Sequence, residues 1–277
     1  MIKTYEFHGK SPGRTLLLLG GIHGDEPCGG IALDNLVRAL DRREIVLNSG
    51  RLICVPVCNE RAAALNARYS EENLNRVIKI HAAPDTYEKR VANELASLFD
   101  EADYILDLHS QPVDGVPFCF ADQETEECLA FAAATGAGHI VLGWPELYES
   151  GDDSSTGDYA IARGKVAATL ECGGHQNPSA PKVAYIAALN ALKFLGMIDG
   201  AVSTGDMEII RMKTKVLYDG GRLAKDWKTF DAFRAGDILA FDSDGLEIKS
   251  DSDGYIILPN PNATPGEEWF YTGRYEV

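Results

Sequence analysis

The chain has 277 residues, of which 45% are hydrophobic, so it can build a large domain with a sizeable core and a smaller domain beside it. Its 42 acidic residues outnumber its 26 basic residues, and a formal net charge of −16 repels phosphate backbones and anionic membranes, so we expect no nucleic-acid or membrane partner. The sequence has no CxxC pair, no apolar signal segment and no apolar run near the ~18 residues of a membrane helix, which predicts a soluble cytoplasmic protein with reduced thiols.

Strand and helix patterns alternate along the first 200 residues. The apolar run TLLLL (15–19) predicts a buried parallel strand, and GGIALDNLVRALDR (29–42) follows with helical spacing of its apolar residues. The helix PDTYEKRVANELASLFD (84–100) is predicted to begin with Asp85 as its N-cap. Further strands are predicted at RLICVPVCN (51–59), DYILDLHS (103–110), VPFCFA (116–121), HIVLG (139–143) and KVAATLECGG (165–174), and further helices at ECLAFAAATG (127–136) and PKVAYIAALNALKFLG (181–196).

After about residue 200 the chain is rich in strand patterns and turns. The tetrapeptide DSDG occurs at 242–245 and again at 251–254, and Asp-Gly is a hairpin signal. Neither copy has the spaced ligands of an EF-hand, so we interpret both as solvated turns. The fold class is therefore predicted as α/β, a mixed, mostly parallel sheet flanked by helices, with a small all-β domain at the C-terminus. The predicted domains are 1–200 and 201–277.

Polar side chains follow three of the predicted strands. His23 and Glu26 lie in GGIHGDEPCG after the first strand, His109 ends YILDLH, and Glu171 ends KVAATLE. Ligands of open α/β sheets bind outside the carboxyl ends of the strands. Two histidines and one carboxylate are the ligand set of a catalytic zinc with an open fourth position, and a further acid would supply the general base.

Each of these residues, taken alone, also fits a simpler structural role. His23 and Glu26 fit a polar turn, His109 fits a capped strand end, and Glu171 fits a salt bridge. A glycine-rich turn after a first strand also suggests a nucleotide loop, but GGIHGDEPCGG lacks both the GK[ST] of a P-loop and the GxGxxG spacing. The combination of residue types at strand ends favours the metal site.

The segment ARYSEENLNR contributes Arg68, Asn75 and Arg76 from a predicted loop. In a solvated loop these residues would simply be exposed polar and charged side chains. Beside a metal site they would bind a substrate carboxylate, because a guanidinium group binds a carboxylate in a bidentate fork.

The motifs HGDE, NLNR, DLH and LECGG, in this order, resemble the succinylglutamate desuccinylase/aspartoacylase family, relatives of the zinc carboxypeptidases. The resemblance covers about residues 14–196 and, more weakly, the β-rich tail. It implies a zinc-carboxypeptidase-like fold and one zinc ion per chain, held by His23, Glu26 and His109. It also implies hydrolysis of a small acylated amino acid or related amide, and it is compatible with a homo-oligomer.

The same resemblance implies roles for the remaining polar residues. Glu171 corresponds to the catalytic glutamate, and Arg68 to an arginine that polarises the scissile carbonyl. Asn75 and Arg76 correspond to the pair that holds the substrate carboxylate. Asp107 either orients a metal ligand or caps its own strand.

The sequence departs from the family pattern in two places. Aspartoacylases have an arginine ten residues before the catalytic glutamate, where this chain has Ile161, and the nearest arginine is Arg163. The late active-site tyrosine of the family has three candidates here, Tyr148, Tyr159 and Tyr271. The first departure argues against recognition of a second substrate carboxylate, and so against both acetylaspartate and succinylglutamate as the substrate.

Three other functions fit part of the same pattern. A metallocarboxypeptidase acting on peptides would use the same residues. A binding protein on a degenerate peptidase scaffold would not need the intact set of ligands and Glu171. A nucleotide-binding α/β protein would need a phosphate loop that the glycine turn does not match.

Overall fold

The computed structural model describes residues 2–148, 154–202 and 207–276. Residues 203–206 of the predicted C-terminal domain therefore lie outside the described residues. The strands are β1 Tyr5–His8, β2 Ser11–Gly20, β3 Ser49–Val55, β4 Tyr104–Gln111, β5 Phe118–Ala121, β6 His139–Leu142, β7 Val166–Gly174, β8 Glu208–Leu217, β9 Arg222–Leu223, β10 Ala232–Phe233, β11 Ile238–Phe241, β12 Glu247–Lys249, β13 Gly254–Ile257 and β14 Glu268–Tyr275. The helices are α1 Pro27–Asp41, α2 Glu60–Leu65, α3 Tyr87–Glu101, α4 Glu126–Ala134, α5 Trp144–Leu147, α6 Thr156–Ala162 and α7 Ala180–Phe194, with a 3₁₀ turn at Leu74–Arg76.

Eleven of these strands form one mixed sheet. Their order is β1-β3-β2-β4-β7-β5-β6-β8-β14-β13-β10. The four strands β3, β2, β4 and β7 are mutually parallel, whereas β5 runs antiparallel to β7. The neighbours β2, β4 and β7 therefore end at the same edge of the sheet.

Helices cover both faces of the central strands. Along β2, Leu16 and Leu18 pack on one face with α1, α4 and α7, and Leu17 and Leu19 pack on the other face with α3 and α6. All four leucines are fully buried, as expected for a parallel strand between two helical layers. The α/β fold class predicted from the alternating patterns is thus confirmed.

The helix α3 begins one residue later than the sequence predicted. Its N-cap is Thr86, whose side chain accepts a hydrogen bond from the backbone N–H of Lys89. The predicted cap, Asp85, instead pairs with the Lys89 ammonium group at 2.8 Å. Both residue types favour an N-cap, and the backbone geometry selects the second one.

The residues after 207 form mainly antiparallel strands. Strands β8, β14 and β13 extend the large sheet, and β12, β11 and β9 form a separate three-stranded sheet. A hydrophobic cluster of its own, which includes Trp227, Phe233 and Trp269, lies in this region. A second cluster joins it to β5 and β6 through Phe120 and Val141. The C-terminal β region is confirmed, and the division at residue 200 into two domains stays a prediction.

Two further predictions concern the cysteines, expected to be reduced, and membrane-spanning helices, expected to be absent. All six cysteines are buried and unpaired. Within the described ranges, none of the helices combines the length and apolar character needed to cross a lipid bilayer.

Gly29 brings α1 into close contact with β4. A Cβ atom at Gly29 would lie 2.7 Å from the Leu108 carbonyl oxygen and 3.0 Å from the Gly20 Cα. We expect Gly29→Ala to lower the free energy of unfolding by about 1–3 kcal/mol, because the overpacking outweighs the better helix propensity of alanine. Urea unfolding measures the change.

The matched control for this prediction is Gly138→Ala. A Cβ atom there would have no atom within 4 Å. We expect this control to change the free energy of unfolding by no more than about 0.5 kcal/mol. Equal effects of the two substitutions would contradict the close packing of α1 on β4.

Candidate metal centre and active site

The candidate site lies where β2, β4 and β7 end side by side. His23 and Glu26 occupy the turn that follows β2, and His109 is near the end of β4. His109 is paired in register with Glu171 of β7. The strand order thus brings together the four residues that the sequence placed at strand ends.

The Glu26 carboxylate lies between the two histidine rings. Its Oε1 is 2.8 Å from His23 Nδ1, and its Oε2 is 3.0 Å from His109 Nδ1. The backbone N–H of Ser110 also donates a hydrogen bond to Oε2, at 2.9 Å. His23, Glu26 and His109 are all buried, and each presents a ligand atom within 4.8 Å of the other two.

The outer nitrogen of each histidine is held by an oxygen. His23 Nε2 lies 3.1 Å from Asn73 Oδ1, and His109 Nε2 lies 2.8 Å from Asp107 Oδ2. Thr156 Oγ1 in turn donates to Asp107 at 2.7 Å. Metal-binding histidines ordinarily donate the N–H of their second nitrogen in this way, which fixes the tautomer. Both Nδ1 atoms are therefore directed at Glu26.

Burial and charge set the protonation of these groups. Burial and the nearby Arg68 lower the pKa of His23 to about 4, so its ring is neutral, as a ligand must be. Burial alone would lower the pKa of His109, but Asp107 and Glu26 raise it well above its usual range. Burial would raise the pKa of Glu26, but the two histidines lower it well below its usual range.

Glu171 is the member of the group that lacks a hydrogen-bonding partner. Its Oε2 is buried and accepts no hydrogen bond from the described residues. Burial and the neighbouring Glu26 carboxylate raise the pKa of Glu171 well above its usual range. The two imidazoles and the Glu26 carboxylate form a donor set that suits a divalent cation such as zinc, with the Glu171 carboxyl group beside it. The residues therefore fit the metal that the sequence predicted.

Arg68 lies at the side of this cluster. Its Nη1 is 3.3 Å from Glu26 Oε1, and its side chain is 31% exposed. It lines one cavity together with His23, Glu26, His109 and Glu171. At this position the guanidinium group can contact both Glu26 and a molecule bound in the cavity.

Asn75 and Arg76 also line the cavity, but their polar groups have partners within the protein. Asn75 Oδ1 accepts a hydrogen bond from the backbone N–H of Thr156 at 2.9 Å. Arg76 forms a part-buried ion pair with Glu268 of β14 and donates to the Tyr148 hydroxyl at 3.2 Å. A substrate carboxylate at Arg76 would share the guanidinium group with Glu268.

The three candidate tyrosines have different surroundings. The Tyr148 and Tyr271 hydroxyls lie 2.5 Å apart, and Tyr148 also donates to Glu268 at 2.9 Å. Tyr271 lines the cavity. Tyr159 packs against Phe99 in the core, with ring centroids 5.5 Å apart. The structure thus places Tyr148 and Tyr271 near the site and Tyr159 outside it.

Sequence reasoning missed three residues that support the site, namely Asn73, Thr156 and Glu268. Asn73 stands two residues before Asn75 in the same NLNR motif, which was a usable signal. Thr156 follows Ser155, the N-cap of α6, and its contact with Asp107 spans 49 residues. Glu268 meets Arg76 across 192 residues, so no local pattern indicates it.

Comparisons with known proteins agree with this geometry. The family model of the succinylglutamate desuccinylase/aspartoacylase catalytic domain matches residues 12–195. An N-alpha-acetyl-L-2,4-diaminobutyric acid deacetylase from Halomonas elongata is 30% identical in an alignment 215 residues long that covers 71% of this chain. The match spans 59% of that relative's length.

Solved structures share the fold along nearly the whole chain. A succinylglutamate desuccinylase/aspartoacylase from Rhodobacter sphaeroides has a TM-score of 0.82 and 24% identity, with coverage of 100% of this chain and 89% of the other. The product-bound ectoine utilization protein EutE (DoeB) from Ruegeria pomeroyi has a TM-score of 0.79 and 26% identity, with coverage of 99% and 89%.

The fold and the matched family model define the class of the chain as a catalytic domain of the succinylglutamate desuccinylase/aspartoacylase type. The chain belongs to the succinylglutamate desuccinylase/aspartoacylase family. The predicted family is thereby confirmed, and the predicted enzyme class is confirmed at the level of the family. The metal ligands and catalytic roles of single residues stay predictions.

Metal content tests the predicted ligands directly. We expect wild-type protein equilibrated with zinc to hold about one zinc per chain, and His23→Ala and Glu26→Ala to lose most of it, because each removes one of three protein ligands. Plasma mass spectrometry of the dialysed proteins measures the content. His8→Ala is the control, since the His8 side chain is 67% exposed and pairs with Glu6. Zinc-free wild-type protein would contradict the site.

Acid sensitivity tests the pair of Arg76 and Glu268. Burial would raise the pKa of Glu268, but the Arg76 guanidinium group lowers it to about 2. Because the pKa of Glu268 is lower in the folded state than in the unfolded state, the ionised carboxylate stabilises the folded protein. This stabilisation is complete above pH 4.5, the usual pKa of the group, and is lost as the pH falls toward 2. We expect Glu268→Gln to destabilise the protein by about 3 kcal/mol at pH 7, because Arg76 is left uncompensated.

The measurement is the free energy of unfolding of both proteins at pH 7 and at pH values below 4.5. The difference in free energy of unfolding between wild type and Glu268→Gln should shrink as the pH falls. Protonation of Glu268 in the wild type removes the same negative charge that the substitution removes. Glu247→Gln is the control, since its ion pair with Lys249 is exposed. A difference that stays constant with pH would contradict the role of the pair.

Proposed function

We propose that this protein is a zinc-dependent deacylase that hydrolyses the amide bond of a small N-acylated amino acid. The observation that carries the proposal is the buried group of His23, Glu26 and His109 beside Glu171, at the base of one cavity. Two histidines and a glutamate leave a position open for water or substrate on a bound zinc ion. One zinc per chain is the expected cofactor.

Glu171 is the proposed general base and acid. Bound zinc would supply a Lewis acid that polarises the amide carbonyl and makes a water molecule more acidic. Glu171 would accept a proton from the attacking water and then deliver it to the leaving nitrogen. Its unpartnered, buried Oε2 supports this role, because burial and the Glu26 carboxylate raise the pKa of Glu171 and so make its carboxyl group a better proton acceptor than an exposed glutamate.

Arg68, Asn75 and Arg76 are the proposed substrate-binding residues. Arg68 would stabilise the negative charge that develops on the carbonyl oxygen, because its Nη1 already lies beside Glu26. Asn75 and Arg76 would hold the amino-acid carboxylate and fix the position of the amide bond. Arg76 is pre-oriented for this by Glu268 and Tyr148.

The relatives support an acylated amino acid as the substrate. The Halomonas elongata relative carries the name of a deacetylase of an α-acetylated diamino acid. Because the match spans 59% of that relative, its reaction supports the proposal without defining the acyl group or the amino acid of this chain. The cytoplasmic location and a homo-oligomeric state stay predictions.

A metallocarboxypeptidase that cleaves peptides remains the alternative, and a comparison of substrates separates the two. Residues of the C-terminal region, including Leu258, Asn260 and Tyr271, line the same cavity as the metal-site residues. Because the C-terminal region closes one side of the cavity, the cavity favours a small substrate over a peptide chain. A non-catalytic binding protein would have no use for Glu171. Turnover of a panel of N-acyl amino acids beside dipeptides is the test.

Glu171→Gln separates catalysis from metal binding. We expect the rate of amide hydrolysis to fall by about 10²- to 10⁴-fold, because the amide cannot accept the proton. Zinc content should remain that of the wild type, because Glu171 is outside the predicted ligand set. Stopped assays on N-acyl amino acids and plasma mass spectrometry measure the two quantities. Unchanged turnover in Glu171→Gln would show that another group is the base.

A further inference from the structure

One wall of the cavity is formed by β5, α5 and the start of α6. The residues of this wall are Phe120, Asp122, Trp144, Ser155 and Thr156. Phe120 and Asp122 are two residues apart at the end of β5 and line the same cavity. The Phe120 and Trp144 rings contact each other edge to face, with centroids 5.4 Å apart. The wall thus combines one carboxyl group with an aromatic surface.

Among the described residues, no arginine or lysine forms an ion pair with the Asp122 carboxyl group, and its buried Oδ2 makes no hydrogen bond with them. Burial and the Asp158 and Asp107 carboxylates raise the pKa of Asp122 well above its usual range, whereas His109 and a hydrogen bond from Thr169 act in the opposite direction. Burial disfavours the ionised form of this carboxyl group, and an ammonium group bound beside it would favour that form.

The backbone leaves room for this carboxyl group at one position. A Cβ atom at Gly157 of α6 would lie 2.6 Å from both Cγ and Oδ1 of Asp122. The absence of a side chain at residue 157 thus leaves room for the Asp122 carboxyl group against the first turn of α6.

The two arginines of the cavity already have carboxylate partners. Among residues 2–148, 154–202 and 207–276, the arginines that line it are Arg68, which pairs with Glu26, and Arg76, which pairs with Glu268. Arg163, the arginine nearest to the family's carboxylate-binding position, forms an ion pair with Asp100 instead. A second substrate carboxylate therefore meets no free cation at this wall, whereas a substrate ammonium group meets Asp122.

We propose that Asp122 is a specificity residue that binds an ammonium group on the side chain of the substrate's amino-acid portion, so that the preferred substrate is an acylated diamino acid. The inference rests on the proposed function for the reaction, but Asp122 itself takes no part in the chemistry. The aromatic rings of Phe120 and Trp144 complete the pocket, because an organic ammonium group is also attracted to an aromatic face.

Matched pairs of substrates test this proposal. The first pair is Nα-acetyl-2,4-diaminobutyrate and Nα-acetylnorvaline, and the second is Nα-acetylornithine and Nα-acetylnorleucine. Within each pair the terminal ammonium group is replaced by a methyl group of similar size, and the two pairs differ in length. The quantity measured is the ratio of kcat/KM for the ammonium substrate to kcat/KM for its neutral analogue, in wild type, Asp122→Asn and Glu126→Gln.

We expect the wild-type ratio to be about 10- to 100-fold for at least one pair, because a hydrogen-bonded charge pair contributes this much discrimination. Asp122→Asn should reduce the ratio to about threefold or less, since the amide keeps the shape and removes the charge. Glu126→Gln removes a charge from the exposed first turn of α4 and should keep the wild-type ratio.

Two results would overturn the proposal while leaving the deacylase function intact. One is a wild-type enzyme that hydrolyses the neutral analogues as well as, or better than, the ammonium substrates. The other is an Asp122→Asn enzyme that keeps the wild-type ratio.

If wild-type protein hydrolyses none of the four compounds, calorimetric titration with free 2,4-diaminobutyrate and norvaline tests the specificity separately from the reaction. Asp122 should still favour binding of the diamino acid at least tenfold, and equal affinities would overturn the proposal.

Discussion

The burial of three carboxylates at one point is the constraint on which the site depends. Glu26, Asp107 and Glu171 are all inside the protein, and buried carboxylates are unstable without hydrogen bonds or positive charge. The rings of His23 and His109 meet Glu26 on both sides, and Asp107 holds the far side of His109. A divalent cation held by the two histidines and Glu26 would add positive charge to this group of carboxyl groups. The adjacent parallel strands β2, β4 and β7 make this concentration of charge possible.

The C-terminal region completes the cavity through a second charge pair. Arg76 stands beside the predicted substrate-binding Asn75, and its counter-charge is Glu268 of β14. Tyr69 donates to Glu267 at 3.1 Å on the same side of the cavity. Without β14, Arg76 would lose the carboxylate that balances its charge. The catalytic centre and the C-terminal strands are therefore interdependent, even though the sequence texture changes sharply between them.

The sequence alone was enough to predict that the strand-end residues lie together, because that prediction needs only parallel neighbouring strands and not their full order in the sheet. Parallel strands direct their carboxyl ends to one edge, so His23, His109 and Glu171 had to meet if their strands were neighbours. The N-cap of α3 was misplaced because Asp85 and Thr86 are both capping residues and only the backbone distinguishes them. Glu268 was not predictable, because its contact with Arg76 depends on how the C-terminal strands dock. Asp122 was not predictable for a similar reason, since β5 reverses direction beside β7.

The arrangement separates the groups that perform chemistry from the groups that select the substrate. The predicted metal ligands and Glu171 come from adjoining parallel strands and the turn after β2, where packing on both faces fixes their geometry. In the proposed arrangement, the wall that contacts the side chain of the substrate comes from the antiparallel strand β5 and the short helices α5 and α6. A change of charge in that wall would alter which substrate charge is preferred and would leave the predicted ligand set untouched. The fold would thereby support one hydrolytic reaction on acyl amino acids of different charge.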